Sequence, residues 1–591
     1  MTDQADPLPP FGGPLRLEGP AADRAFVVAG THAALAGIET RGVGTVRLHP
    51  FAALRDLRVT GATPESVVVT AVGIERQLDV RGRRVLERAT AAPEAALAAL
   101  EWAVPDASGE SAPCFEPVDL EILWSVDLEP AAGPLEIRRG PRGATLHRGE
   151  ATVAVAIDTP APASWTLEAT AHPGGVRVLA RVPPGAFLRL TLTGDEATAR
   201  PPADSAAAAA THVAARLGAA RRRAAASLGV VVPDRILRDA LAWAAHRLDE
   251  LLVQRPGAAA CIVEGYSAGA EPRPARAGAV WTALAALAAG DSRLSAGALR
   301  YLRTLLPDPD AAAAVLLLAA RHLAWTGDAA PLRDAWPDVT RAARICRDAE
   351  AASPLASAAL AEAAIAAEAL RLPLHEPGEI AGAAATPTRR PEHRRALAGA
   401  GGWAAFADGR ARSAFDAWTG LAAAGIDPGR GLWTGAAGLD DAAATAGVLN
   451  GFVYGLLGAE PDAPRHRLRL RPQLPEAWDS ADVLRIRMGE ASLSLRFRRE
   501  GALHRFEVEP EAGPVPVRVI LEPALPGHLR AAHIDGVAAQ LDPRPFGERV
   551  IVPVQLVVDH SRTVELEVEP PDDEGFVPGA TGPLVRLHRR A

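Results

Sequence analysis

The sequence predicts a multidomain α and β protein: an N-terminal β-sandwich, a central α/α toroid and a C-terminal β-sandwich-like domain. Three observations predict it. Short β-branched runs, punctuated by Gly, Pro and Asp, fill residues 11–200 at intervals typical of sandwiches. Nearly every segment from Pro233 to Leu457 carries helical periodicity. Strand alternation then returns over residues 465–569. The last change is abrupt: an apolar helix through Gly455-Leu456-Leu457-Gly458, a Pro461-Asp462-Ala463-Pro464 turn, then the alternating strand Arg467-Leu468-Arg469-Leu470-Arg471.

Taken in order, residues 11–202 form the N-terminal β-sandwich. Phe26-Val27-Val28-Ala29, Val67 to Val72, Leu120 to Trp124 and Val176 to Ala180 read as strands, and Phe187 to Thr193 alternates as a strand with one wet face does. Pro93 to Ala103 reads as a short helix within an irregular insertion. Residues 203–230 hold an alanine run followed by Arg221-Arg222-Arg223, a strong helix former with little to bury, and read as a linker helix. Residues 231–460 form the helical toroid. Its helices are expected at Ile236–Val253, Ala279–Ala289, Ser295–Leu306, Ala311–Thr326, Pro331–Arg347, Pro354–Leu370, Ala411–Ala424 and Asp441–Leu457. Short connections between so many helices suit a toroid better than a four-helix bundle. The proline-, glycine- and charge-rich residues 373–400 read as a long loop. Residues 461–570 are the C-terminal β domain, and 571–591 a tail.

Composition narrows function. A chain of 591 residues is too long for one core, so about two to four domains are expected. A net charge of −8 argues against a nucleic-acid or anionic-membrane partner. No lysine occurs, which excludes Schiff-base, pyridoxal-phosphate and Walker-lysine chemistry. Cys114, Cys261 and Cys346 are too far apart for a disulfide framework or a structural zinc site. No organic cofactor or metal is therefore expected. The opening residues lack the apolar core of a secretion signal, and no long apolar run reads as a membrane span, so a cytoplasmic protein is expected. Tryptophan is over-used: 11 Trp against 3 Tyr and 12 Phe. Trp281, Trp403, Trp418 and Trp433 suit both pyranose stacking and helix packing.

Local strings carry a family resemblance. Asp310-Ala311 through Leu316-Leu317-Leu318 to His322-Leu323-Ala324-Trp325-Thr326-Gly327-Asp328, followed by Leu332-Arg333-Asp334-Ala335-Trp336-Pro337, resembles a stretch of the six-hairpin glycosidases. Val280-Trp281-Thr282-Ala283-Leu284 with Ala289-Gly290-Asp291 resembles a second. Gly447 to Trp478 resembles the exit from their catalytic barrel, and the likeness is strongest to bacterial glycogen-debranching and amylo-α-1,6-glucosidase-like proteins. The resemblance implies an (α/α)6 barrel and an oligosaccharide or polysaccharide ligand, hydrolysed or bound in the barrel cleft. Two departures stand out. Ala277-Gly278-Ala279 replaces the family's Arg-Asp, and Leu306-Pro307-Asp308-Pro309 replaces a loop that contacts substrate. The alternative function is a catalytically degenerate, non-enzymatic relative that acts as a glycan-binding or a structural or interaction protein.

Glycoside hydrolysis needs one protonated and one ionised carboxyl, held roughly 6.5–9.5 Å apart in inverting enzymes. Asp310 with Asp440 or Asp441 is the pair expected in position; all three are also ordinary helix-start acids. Glu264, Tyr266, Trp281 and Trp433 are the candidate substrate contacts. Gly265-Tyr266-Ser267-Ala268-Gly269 matches G-x-S-x-G, but Pro272 and Pro274 forbid the helix that a nucleophile elbow requires. His375, Glu376 and Glu379 lack metal-binding spacing and read as a solvated loop, and His246 and His322 as structural.

Overall fold

The computed structural model describes residues 16–569 apart from 31, 50, 71, 93–94, 107–115, 127, 130, 141–142, 161–162, 170–174, 195–210, 212, 220–221, 223–226, 255–259, 267–271, 350–352, 373, 375–390, 428–431, 436–437 and 440. The architecture is mixed: N-terminal antiparallel sheets, a central helical region and C-terminal sheets. Among the described residues the helices are fewer than a closed toroid of six hairpins needs, which corrects the full toroid expected from the sequence. The chain forms two compact units. The first comprises residues 1–225, 249–274 and 426–442; the second comprises 226–248, 275–425 and 443–591.

The first unit is built on a nine-stranded and a seven-stranded antiparallel sheet. Ala25–Ala29 and Ala33–Ile38 of the smaller sheet pack on Arg83–Ala91 of the larger. The core between them is β-branched and aliphatic: Val27, Leu35, Val67, Val69, Val85 and Ala89 are all buried. Leu97–Ala103 is a strand between Arg83–Ala91 and Phe187–Gly194, where the sequence suggested a helix. Its alanine, leucine and glutamate favour helix locally, but two neighbouring strands and burial on both faces decide otherwise.

Register in this sheet places charges in rows. Glu75 lies opposite Arg88, Arg88 opposite Glu101, Glu101 opposite Arg189, and Arg189 opposite Asp158. Five strands thus carry alternating charge on one line, and directly opposed unlike charges attract. Arg189 and Glu101 are both fully buried at 2.5 Å; Arg88 reaches Glu75 at 2.7 Å and Glu101 at 3.5 Å. The opposite face carries a second row, in which Glu87 accepts from Arg76 at 2.6 Å and from the Trp102 indole at 2.9 Å.

In the second unit successive helices pack as neighbours: Ala279–Ala289, Ser292–Arg303, Pro309–Thr326, Ala330–Ala349, Pro354–Leu370 and Pro391–Ala400. Pro391–Ala400 is helical although the sequence suggested a loop over 373–400; proline at a helix start supplies the required φ and lacks an N–H that would go unpaired there. Ala279–Ala289 is buried on almost every side, as an all-apolar helix must be. Ala442–Asn450 continues into the π-helical turn Gly451–Leu456. A Cβ on Gly451 would sit 2.5 Å from the Trp418 ring, so glycine lets that turn close on the indole.

The C-terminal strands form a seven-stranded sheet that includes Gly229–Val231, and a four-stranded sheet in which Arg467–Leu470 runs parallel to Val517–Leu521. His504 is buried against Phe497 in the larger sheet. Burial first, then the charges of Arg499 and Arg549, push its imidazole down to about 4. The unfolded chain binds a proton near the ordinary histidine range, whereas the native state refuses it until about pH 4. Stability therefore falls as pH drops from about 6.5 to 4, by roughly 3 kcal/mol from this group. His504→Gln is expected to flatten that part of the urea-midpoint profile; an unchanged slope would refute the assignment.

Candidate functional site

The sequence-derived residues occupy contrasting environments. Asp310 is an exposed first-turn residue of Pro309–Thr326, whose N-cap is Asp308; the Asp308 carboxylate accepts from the N–H groups of Asp310 at 2.9 Å and Ala311 at 3.0 Å. Asp441 is buried immediately before Ala442–Asn450. Asp440 lies outside the described residues. Asp310 belongs to the second unit and Asp441 to the first.

Glu264 is exposed, and its carbonyl accepts from the Ala442 N–H at 2.9 Å. Tyr266 is buried, and its hydroxyl donates to the Glu250 carbonyl at 2.5 Å. The Glu250 carboxylate in turn accepts from Arg216 at 2.6 Å. Tyr266 therefore ties its segment down through the backbone of Glu250. Trp433 lies in the strand Leu432–Gly435, opposite Ile426, and its side chain is outside the described residues. Ser267, Ala268 and Gly269 of the G-x-S-x-G string, and His375, Glu376 and Glu379, are outside them as well. His322 is buried, with Nδ1 2.8 Å from the Ser295 hydroxyl, and burial lowers its proton affinity. That is a structural histidine.

Trp281 is joined by partners that the sequence did not single out together. It is partly exposed and meets Trp403 edge-to-face, with ring centroids 5.9 Å apart. Trp403, also partly exposed, stacks on Tyr454 at 5.3 Å. Tyr454 projects from the π-helical turn. Its hydroxyl accepts from the Trp325 indole at 2.8 Å and donates to the Leu284 carbonyl at 3.2 Å. Burial pushes its phenol up to about 12, so it stays neutral. Asn450 donates to the Trp281 carbonyl at 3.0 Å, while its own Oδ1 is buried with no hydrogen-bond partner among the described residues. The result is a two-tryptophan platform on a rigid, hydrogen-bonded base.

Beneath that base the Arg321 guanidinium lies 6.0 Å from the Tyr454 ring centroid and pairs with Glu362 at 3.2 Å. Glu362 also lines a cavity of about 380 Å³ within the second unit. The cavity walls come from Pro309–Thr326, Pro354–Leu370, Pro391–Ala400 and the strands Glu460–Asp462 and Arg467–Leu470. Three of its four carboxylates, those of Glu362, Glu460 and Asp462, are held by arginine. Glu460 pairs with Arg394 at 3.0 Å and Arg469 at 3.3 Å, and Asp462 pairs with Arg467 at 2.7 Å. Carboxylates in such pairs act as acceptors. Among the described residues no group of His, Cys, Asp and Glu could hold a metal ion, and no helix is long and apolar enough to cross a membrane.

One sequence signal that the reading above did not use could have found this region. In PLASAALAEAAIAAEAL, Glu362 falls on the buried stripe of Ala358, Ala359, Ala363 and Ala366. A lone acid there demands a partner. Nothing local identified that partner as Arg321, which lies on another helix.

No protein-family model matches this sequence, and no curated protein matches it. Solved structures do match by shape. A structure named "Putative kojibiose phosphorylase from human microbiome" aligns with a TM-score of 0.53 at 8% identity, covering 92% of this chain and 98% of that one. That likeness concerns the fold alone. A bacterial glucoamylase complexed with acarbose aligns at 0.41 and 10% identity, over 61% of this chain and 66% of that one. An α-L-rhamnosidase from Dictyoglumus thermophilum aligns at 0.40 and 8% identity, over 85% and 73%. The chain thus shares its overall fold, at low identity, with the first of these structures.

Proposed function

We propose that this protein binds oligosaccharide on the Trp281–Trp403 platform and does not hydrolyse it. The observation that carries the reading is the pair of partly exposed indoles seated on the half-buried, hydrogen-bonded Tyr454. Pyranose C–H faces pack on aromatic faces, and a rigid aromatic presents them at small entropic cost. The loss of hydrolysis is supported by the setting of Asp310. A general acid works from an apolar site, whereas Asp310 is an exposed residue in a helix first turn. Ala277-Gly278-Ala279, in place of the Arg-Asp that the family resemblance implies, supports the same reading.

The test is calorimetric titration with malto-, isomalto- and rhamno-oligosaccharides, beside a sugar-release assay at several pH values. The wild type is expected to bind at least one series saturably and release no sugar, and Trp403→Ala to weaken binding about tenfold or more. Trp281→Phe, which keeps a ring, should retain most of the affinity. Sugar release abolished by Asp310→Asn or Asp441→Asn would establish a hydrolase instead. Saturable binding that Trp281→Ala and Trp403→Ala leave unchanged would move the site elsewhere.

A further inference from the structure

The first unit contains a separate cavity of about 680 Å³, bounded by both of its large sheets. Ala33–Ile38, Gly42–Leu48 and Phe51–Val59 of the seven-stranded sheet line it, with Ala62–Thr70 and Ile74–Val80 of the nine-stranded sheet. A register shift between Ala36 and Gly37 interrupts the ladder there, and such irregularities bend strands and re-aim side chains. Gly42 has φ of 95°, and a Cβ on it would lie 2.6 Å from the Arg76 guanidinium. Glycine at that turn therefore leaves room for Arg76 in the wall.

Four arginines and one acid line this space: Arg41, Arg55, Arg58 and Arg76, with Asp56. Arg76 is fully committed, to Glu87 at 2.6 Å and to the Glu39 carbonyl at 2.6 Å. Arg55 holds the exposed Glu129 at 2.9 Å. Arg41 and Arg58 are exposed, and among the described residues neither side chain has a hydrogen-bond or ion-pair partner. The cavity therefore presents guanidinium donors in excess of the acceptors around them.

We propose that this cavity binds a sugar carrying an oxyanion, either a phosphate ester or a carboxylate. Its volume lies in the range of small-molecule sites. Guanidinium groups match carboxylate and phosphate oxygens through paired, charge-assisted hydrogen bonds. A neutral sugar would leave Arg41 and Arg58 partly desolvated with no charge to offset that cost. The sugar half of the inference rests on the carbohydrate reading above; the oxyanion half stands independently of it.

The experiment is calorimetry on the full chain at low salt with four probes: glucose 6-phosphate, glucuronate, glucose and inorganic phosphate. At least one charged sugar is expected to bind saturably, about tenfold or more tightly than glucose or phosphate. Arg41→Ala/Arg58→Ala should abolish that difference, and added salt should weaken binding. The single variant Arg58→Gln provides a milder change, and thermal midpoints verify that both fold. Whichever charged sugar binds names the oxyanion. No saturable binding of either, binding unchanged in the double variant, or phosphate alone binding as tightly would each overturn the proposal. Trp403→Ala separates the two sites: it should leave charged-sugar binding intact even where neutral oligosaccharide binding is lost.

Discussion

Arg189→Met is expected to lower the unfolding free energy by about 3–5 kcal/mol, because it takes a closely bonded cation from a fully buried Glu101. Glu101 accepts from Arg189 Nε at 3.0 Å as well as from its Nη2, while Arg88 approaches only to 3.5 Å. Arg88 is also committed to Glu75, so it cannot fully replace the lost partner. The double variant Arg189→Met/Glu101→Leu should regain most of the loss, since it removes the stranded charge with its partner. Urea unfolding of the three variants decides the matter. A loss under about 1 kcal/mol for Arg189→Met would show that the sheet carries Glu101 without this pair.

Glu362→Leu is the second large effect. It leaves the largely covered Arg321 without its carboxylate, and Arg321 Nη1 already lacks a hydrogen-bond partner. A loss of about 3 kcal/mol is expected. Because Arg321 lies against the Tyr454 ring that supports Trp403, oligosaccharide affinity should fall together with stability. Arg321→Met/Glu362→Leu should recover stability but only part of the affinity. Unfolding curves and calorimetry on the same samples provide the check. Glu362→Leu with unaltered stability would remove the pair from the account of this region.

The two networks differ in how far the chain itself reveals them. A single glutamate on an alanine stripe is visible to anyone reading Pro354–Leu370 at helical spacing. The charged row of the nine-stranded sheet is not. Glu75, Arg88, Glu101, Arg189 and Asp158 read as ordinary wet-face residues until strand register aligns them. Leu97–Ala103 failed for a related reason: its composition is helical, and only the strands on either side make it a strand. Trp281 and Trp403 were legible one at a time, as aromatics suited equally to packing and stacking. Their common base on Tyr454 depends on a π-helical turn that no local spacing announces.

The order of β, helical and β segments was legible in the residues alone, because hydrophobic period is a local property written into each run. The absence of lysine likewise excluded every lysine-dependent chemistry, because composition alone settles that. The tertiary structure decided the rest: which charges are buried together, which indoles face each other, and that Asp310 is an exposed first-turn acid capped by Asp308. Those outcomes depend on pairs distant in the chain, and distance in the chain carries no record of register, burial or exposure until the fold brings the partners into contact.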